Sequence, residues 1–235
     1  MMGKIVFICG TDTGSGKTVL TGLLTRFSRD NGIDAVALKP FCSGSREDVD
    51  FLQLCQDSAL TDDEVNPWFF KKPLAPYADL KTSKKYNFKK PLNIQAVVKH
   101  IETIRKEHNL IFVEGIGGLM VPITKYFLFI DIISKLKAPV ILTAKNRLGA
   151  VNHTLLSVKI LKYFSLKCRV VVLMNEEKPD LSSKSNSEII SEFSGGIDVF
   201  EIPFLRDIKP DKCQEKKVAK NFKKILAQII KIYKF

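Results

Sequence analysis

The sequence predicts a single α/β domain: a mainly parallel sheet flanked by helices, with a phosphate-binding loop between its first strand and first helix. Three observations predict it. Short apolar runs alternate with segments of helical periodicity. Most of those runs are apolar at consecutive positions, as in strands covered on both faces. A glycine-rich stretch, Gly10–Thr18, separates the first run from the first helical segment. At 235 residues the chain is long enough to bury a sizeable core.

Taken in order, Lys4–Cys9 reads as the first strand. The helix from Gly16 to about Asp30 follows and stops at Asn31-Gly32. Ala35–Lys39 is the second strand, and Asp48–Cys55 a short helix. From Asp57 to Pro91 the chain holds four prolines, the only tryptophan and many lysines. It is expected to be an irregular excursion beside the site, not a second domain. Asn93 to about Glu107 is a helix, with Ile94, Val97, Val98, Ile101 and Ile104 in one stripe. Strands at Leu110–Glu114, Pro139–Thr143, Arg169–Asn175 and Val199–Ile202 then alternate with helices at Phe129–Leu136, Ala150–Phe164 and Glu188–Phe193. The tail, Glu215–Lys234, carries Val218, Phe222, Ile225, Leu226, Ile229, Ile230 and Tyr233 on one face. A basic amphipathic helix suits a membrane surface or its own sheet, and the sheet is expected.

Composition excludes several classes of function. No apolar stretch reaches the roughly 18 residues of a spanning helix. The opening MMGKIVFICG has no small-residue cleavage site and runs straight into the glycine loop, so it is a strand, not a signal peptide. Five dispersed cysteines without a CxxC pair point to reduced thiols and a cytoplasmic location. The three histidines have no metal-ligand spacing. Net charge is +12, mostly from scattered lysines. Solvated faces account for these, and neither a nucleic-acid nor a membrane partner is expected.

The strongest motif is GTDTGSGKT, Gly10 to Thr18. In such a loop the backbone N–H groups of Thr13, Gly14, Ser15 and Gly16 wrap phosphate oxygens, and the helix that follows, through Val19, points its positive end at them. Lys17 reaches the β- and γ-phosphates, and the Thr18 hydroxyl ligates Mg²⁺. Against the strict GxxxxGK[ST] spacing, Thr11 stands where the first glycine would be, and Gly10 lies one residue further back.

A phosphate loop needs a carboxylate on the metal side. LIFVEGIGG places Glu114 at the carboxyl end of a strand, where ligands of such sheets bind. Gly115, Ile116, Gly117 and Gly118 form a second loop whose backbone can meet a substrate. Asp50, in EDVDFLQL, is a further acid, although spacing alone barely separates it from Asp48 or Glu47. Lys39 ends the second strand on the same rim, ahead of Ser43-Gly44-Ser45. It can hold an anion beside the γ-phosphate, though its position alone also fits a surface lysine.

Together these residues resemble the dethiobiotin synthetase family. GTDTGSGKT, KPFCSGS, VDFLQL, NPWFF with PLAP, VEGIGG, PVILTAKNRLGAVNHT, the asparagine of VVVLMNEE, and EIPFL follow the family's order from Gly10 to Leu205. The resemblance implies an α/β P-loop fold, a homodimer, and conversion of 7,8-diaminononanoate, CO₂ and ATP to dethiobiotin, ADP and phosphate with Mg²⁺. It implies catalytic roles for Lys39 and Lys17, and metal contacts from Thr18, Asp50 and Glu114. Thr11, Ser43 and Gly115–Gly118 would border the substrate. Asn152 would meet its carboxylate across the dimer interface, and Asn175 would contact the purine. Asn175 is the single base reader in view, so discrimination between bases is expected to be modest.

Rival readings fit less well. Partition-type ATPases carry an added lysine near the start of the loop, where this chain has Thr11, Asp12 and Thr13. An amidotransferase-type synthetase needs a glutaminase domain that 235 residues cannot hold. Tyr86 and Phe88 within Lys81–Lys90 are a weak signal for nucleic acid.

Overall fold

The computed structural model describes residues 2–83, 86–205 and 216–233, with side chains from residue 223 onward in the last segment. Cys213 and the side chains of Val218 and Phe222 lie outside the described residues. Six parallel strands form one sheet: β1 (Lys4–Gly10), β2 (Ala35–Leu38), β5 (Leu110–Gly118), β6 (Val140–Asn146), β7 (Cys168–Asn175) and β8 (Asp198–Ile202). Their spatial order is β2-β5-β1-β6-β7-β8. Because every pairing is parallel, all carboxyl ends share one rim.

Helices cover both faces. On one side α1 (Lys17–Asp30) and the terminal α9 (Lys216–Ile232) pack over Val6, Ile8, Val170 and Val172. On the other, α5 (Ile94–Arg105), α6 (Phe129–Leu136) and α7 (Ala150–Tyr163) pack over Phe7, Val113, Leu142 and Val171. Neighbouring residues of one strand therefore serve opposite cores, which is why the runs read as continuously apolar. Val97, Ile101 and Ile104 form the buried stripe of α5, whose Asn93 caps the helix by accepting from the Ala96 N–H. A further helix, α8 (Asn186–Ser194), precedes β8.

The apolar face of the tail helix is used within the fold. Leu226, Ile229 and Ile230 are buried in the cluster with Leu20, Leu24 and Phe27, each contributing about 1.5–3 kcal/mol of burial. Among the described residues, no helix is long and apolar enough to cross a membrane.

The excursion is more ordered than its composition suggests. It contains α3 (Asp62–Val65), β4 (Trp68–Phe70) and α4 (Pro76–Thr82). Strand β4 pairs in parallel with β3 (Phe41–Ser43), the segment just after Lys39. Trp68 and Phe70 are fully buried in the main core, and Trp68 lies 5.5 Å from Phe41, ring to ring. Buried Asp79 accepts from the Lys72 N–H, the Ser83 hydroxyl and the Tyr86 hydroxyl. Three-residue strands are too short to register as a period. The expected strands at Leu110 and Pro139 also run further, to Gly118 and Asn146. Beyond a register shift after Ile8, Gly118 pairs with Gly10, and Asn146 pairs with Asn175.

Candidate active site

The rim gathers Gly10–Thr18, Lys39, Glu114–Gly118, Asn146 and Asn175, each at a strand's carboxyl end. The helix after the Ser43-Gly44-Ser45 loop, α2 (Glu47–Cys55), adds its first turn.

The glycine loop folds around its own lysine. Lys17 Nζ donates to the Asp12 carbonyl at 2.9 Å. The Ser15 hydroxyl is buried against the Thr143 hydroxyl at 3.0 Å, which ties the loop to β6. Gly16 caps α1 at φ 83° with Met174 close behind it; a Cβ there would come within 2.6 Å of Met174 Cγ. Only glycine satisfies both the backbone angle and the space.

Lys39, Glu114, Thr18 and Asp48 form one cluster. Lys39 Nζ donates to Glu114 Oε1 at 2.5 Å and to Asp48 Oδ2 at 2.7 Å. The Thr18 hydroxyl donates to Glu114 Oε1 at 2.8 Å. Burial disfavours the charge on Lys39, but Glu114 and then Asp48 outweigh it and hold the ammonium above the usual lysine range. Lys17 is shifted the other way: burial lowers it, Glu114 partly offsets this, and the like charge of Lys39 adds to it. For Asp48, burial is outweighed by Lys39, which keeps the carboxyl below its usual range.

Asp48, not Asp50, takes the expected place of the second acid. Asp50 is exposed on α2 and does not line the cavity. The helical period explains this. Asp48 shares a face with buried Phe51, Leu52 and Cys55, whereas Asp50 lies with Gln53 and exposed Leu54. That stripe was available in EDVDFLQLC and would have selected Asp48.

The donor set fits Mg²⁺. Glu114 Oε2 is buried without a hydrogen-bond partner, beside the Thr18 hydroxyl and the Asp48 carboxylate. These are hard oxygen donors. Among the described residues no group of three His, Cys, Asp or Glu side chains gathers to cage a metal by itself. Mg²⁺ matches such a partial set, because it takes one or two carboxylates and completes its shell with phosphate oxygens and water.

Three cavities meet at the glycine loop. The central one, about 480 Å³, is bordered by Gly14, Lys17, Thr18, Lys39, Ser43, Asp48, Glu114, Ile116 and Gly117. Cys42 also lines it, with burial pushing its thiol up to about 11. A second includes Thr11, Asp12, Arg147, Leu148, His153 and Asp180. The third is bordered by Gly14, Gly16, Val19, Lys145, Met174, Asn175, Glu176 and Pro203–Leu205. Of the expected substrate residues, Gly115 packs behind the loop on Phe129, and Gly118 backs onto the Thr11 carbonyl. Asn152 lies exposed on α7, outside all three cavities. Lys145, Met174 and Glu176 lie within quoted motifs but were given no role there; their strand ends beside the loop are the signal.

Comparison with known proteins agrees with this geometry. A family model described as an AAA domain matches residues 4–212. The chain is 32% identical over 213 residues to the ATP-dependent dethiobiotin synthetase BioD of Bacillus licheniformis, covering 88% of each chain. It is 34% identical over 195 residues to that of Bacillus subtilis strain 168, covering 80% of this chain and 82% of the other. Among solved structures, a putative plasmid partition protein of Borrelia burgdorferi B31 bound to AMPPNP superposes with TM-score 0.63 at 13% identity, covering 98% and 99% of the two chains. A ParA family ATPase of Chlorobium tepidum TLS superposes with TM-score 0.58, also at 13% identity, covering 94% and 97%. These two share the fold.

Proposed function

We propose, from the premise that this chain belongs to the dethiobiotin synthetase family of P-loop ATPases, that it closes the ureido ring of dethiobiotin from 7,8-diaminononanoate, CO₂ and ATP. The observation that carries this reading is the convergence of two buried lysines, Lys17 and Lys39, with Thr18, Asp48 and Glu114 on one cavity.

The chemistry needs an amine that is neutral and an anion that is held. Two ammonium groups beside the cavity disfavour a third, so a substrate amine there gives up its proton to solvent more readily. Its lone pair then forms a C–N bond to CO₂, the nitrogen releases a proton to solvent, and the same cations hold the resulting carbamate anion. The carbamate oxygen attacks the γ-phosphorus, the bond to ADP breaks, and a carbamic–phosphoric anhydride forms. Attack of the second amine on its carbonyl makes the second C–N bond, expels phosphate, which carries off the amine proton, and closes the ring. Mg²⁺, which Thr18, Glu114 and Asp48 would hold, would neutralise charge on the phosphates. The protein positions and stabilises charge, and no side-chain nucleophile is required.

A homodimer belongs to this reading. Asn152 lies four residues from exposed Leu148 and four from exposed Leu156. A polar residue within such a stripe is suited to reach a substrate carboxylate in a second copy.

The deciding assay is phosphate release from ATP with diaminononanoate and bicarbonate added separately and together. Release that depends on both supports the synthetase. Release indifferent to both, but stimulated by DNA or lipid vesicles, would replace it with a partition-type switch.

A further inference from the structure

We propose that Asn146 and Glu201 are positioning residues that lock the Asn175 amide in the one orientation that reads adenine. The site then prefers ATP to six-oxo purine triphosphates. The proposal rests on the ATP-dependent reading above and assigns its base specificity.

The argument is a donor and acceptor inventory along a chain of side chains beside the third cavity. Asn186 Nδ2 donates to Asn146 Oδ1 at 2.9 Å and to the Arg147 carbonyl at 3.2 Å. Asn146 Nδ2 donates to the Ser183 carbonyl at 3.2 Å and to Asn175 Oδ1 at 2.7 Å. Asn175 Nδ2 in turn faces Glu201 Oε2 at 3.4 Å. Asn146 and Asn186 are almost fully buried. Only Asn175 and its neighbours on the rim open onto the cavity.

Each end of this chain fixes the same orientation. A backbone carbonyl can only accept, so the Ser183 and Arg147 carbonyls determine which ends of Asn146 and Asn186 are NH₂. Asn146 must then present an N–H to Asn175, and Asn175 must answer with its oxygen. From the other side, a carboxylate can only accept, so Glu201 requires the NH₂ of Asn175. The two constraints agree. A flip of Asn175 would set NH₂ against NH₂ and oxygen against carboxylate.

With that orientation fixed, Asn175 keeps one acceptor lone pair and one N–H for a ligand. Adenine offers a matching donor, N6–H, next to an acceptor, N7. A six-oxo purine offers two acceptors on that edge and leaves the Asn175 oxygen unpaired. The expectation of modest discrimination counted Asn175 as the single reader in view. The network holds that reader in one orientation, and in a rigid polar site a mismatched base leaves groups unsatisfied.

The test uses the full chain with Mg²⁺. It measures calorimetric Kd values for ATP, ITP and 7-deaza-ATP, together with kcat/KM for ATP and ITP. The unaltered chain should bind ATP roughly tenfold to a hundredfold more tightly than ITP. It should also lose affinity for 7-deaza-ATP, which lacks the N7 acceptor. Asn146→Ala and Glu201→Leu should each shrink both ratios several-fold, while Glu201→Gln, which still offers an acceptor, should restore them. The 7-deaza comparison needs no variant and stands if Asn146→Ala fails to fold. Equal affinity for ATP and ITP in the unaltered chain would overturn this proposal alone. So would ratios that survive both substitutions. A preference for ITP would overturn it too and point to Lys145, whose ammonium borders the same cavity. Binding of none of the three nucleotides would overturn the ATP-dependent reading along with it.

Discussion

Lys39 Nζ donates to Glu114 Oε1 at 2.5 Å, although the two residues are 75 positions apart in the chain and both are buried. Their strands, β2 and β5, are neighbours in the sheet, with Leu38 opposite Val113, so each residue is the next one along its strand. The pair is therefore a product of register. It places charge on the wall of the central cavity.

Lys39→Ala should lower kcat by on the order of 10²-fold or more, with a much smaller change in ATP affinity. It should also strand the buried Glu114 carboxylate, at a cost of about 3–5 kcal/mol in stability. The double variant Lys39→Ala/Glu114→Gln should melt higher than Lys39→Ala, because the unpaired charge is gone. Loss of ATP affinity with kcat intact would make Lys39 a nucleotide residue instead.

Lys17→Ala and Thr18→Ala should each abolish turnover while the protein stays folded by circular dichroism. Lys17 is the buried cation at the centre of the loop, and Thr18 bridges the loop to Glu114. Near-normal phosphate release from either variant at saturating Mg²⁺ would remove the glycine loop from the active site.

Asp48→Asn should raise the Mg²⁺ concentration needed for half-maximal rate and depress kcat, whereas Asp50→Asn should behave like the unaltered protein. The two acids differ in face, not in chemistry: one lines the cavity and the other points to solvent. Equal effects from the two substitutions would place the metal elsewhere.

That pair also shows what the sequence makes legible. The six sheet strands were readable as continuous apolar runs, and the major helices because each is long enough to show a period. The glycine loop, Lys39 and Glu114 were readable because strand ends of a parallel sheet share one rim. Asp48 was masked by two neighbouring acids, and only the apolar face of the helix taken as a whole separates it from them. Strands β3 and β4 were hidden because three residues have no period. The Asn186–Asn146–Asn175–Glu201 chain was hidden because it joins four elements at separations that follow no motif.

Stability should fall as the solution is acidified through the histidine range. His100 is buried, accepts from Lys90 Nζ at Nδ1 and donates from Nε2 to the Glu64 carbonyl, which requires the neutral form. Burial, then the Lys90 charge, pushes its pKa from 6.5 down to about 4. A histidine with a depressed folded pKa gives full stability above its unfolded value and loses it as pH drops from 6.5 toward 4, because the unfolded chain binds the proton first. Over that window the loss approaches about 3 kcal/mol. Melting curves of the unaltered protein and of His100→Gln between pH 7.5 and 4.5 check this. The variant should start lower and vary less with pH, and parallel curves would assign the acid sensitivity to other groups.

The last prediction concerns the exposed face of α7. Leu148, Leu156 and Tyr163 are 82%, 58% and 81% exposed, and Leu181, next to the Asp180 whose carboxylate accepts from the Leu148 N–H, is 86% exposed. Positions 152, 156 and 163 recur at helical spacing along α7, so Asn152, Leu156 and Tyr163 share one stripe, and Leu148 lies in the turn just before the helix. Single exposed apolar residues are ordinary, but a stripe that brackets a polar residue suits an interface in which that residue is used. If two copies meet here, Leu156→Glu places a charge in the contact on both sides. The variant should sediment as a monomer where the unaltered chain sediments as a dimer. Its KM for diaminononanoate should rise far more than its Kd for ATP, because the glycine loop and Asn175 belong to one chain while Asn152 would act on the other. Asn152→Ala should raise the same KM without changing the sedimentation. An unaltered chain that is already monomeric and fully active would rule out the interface and Asn152 as a substrate contact together.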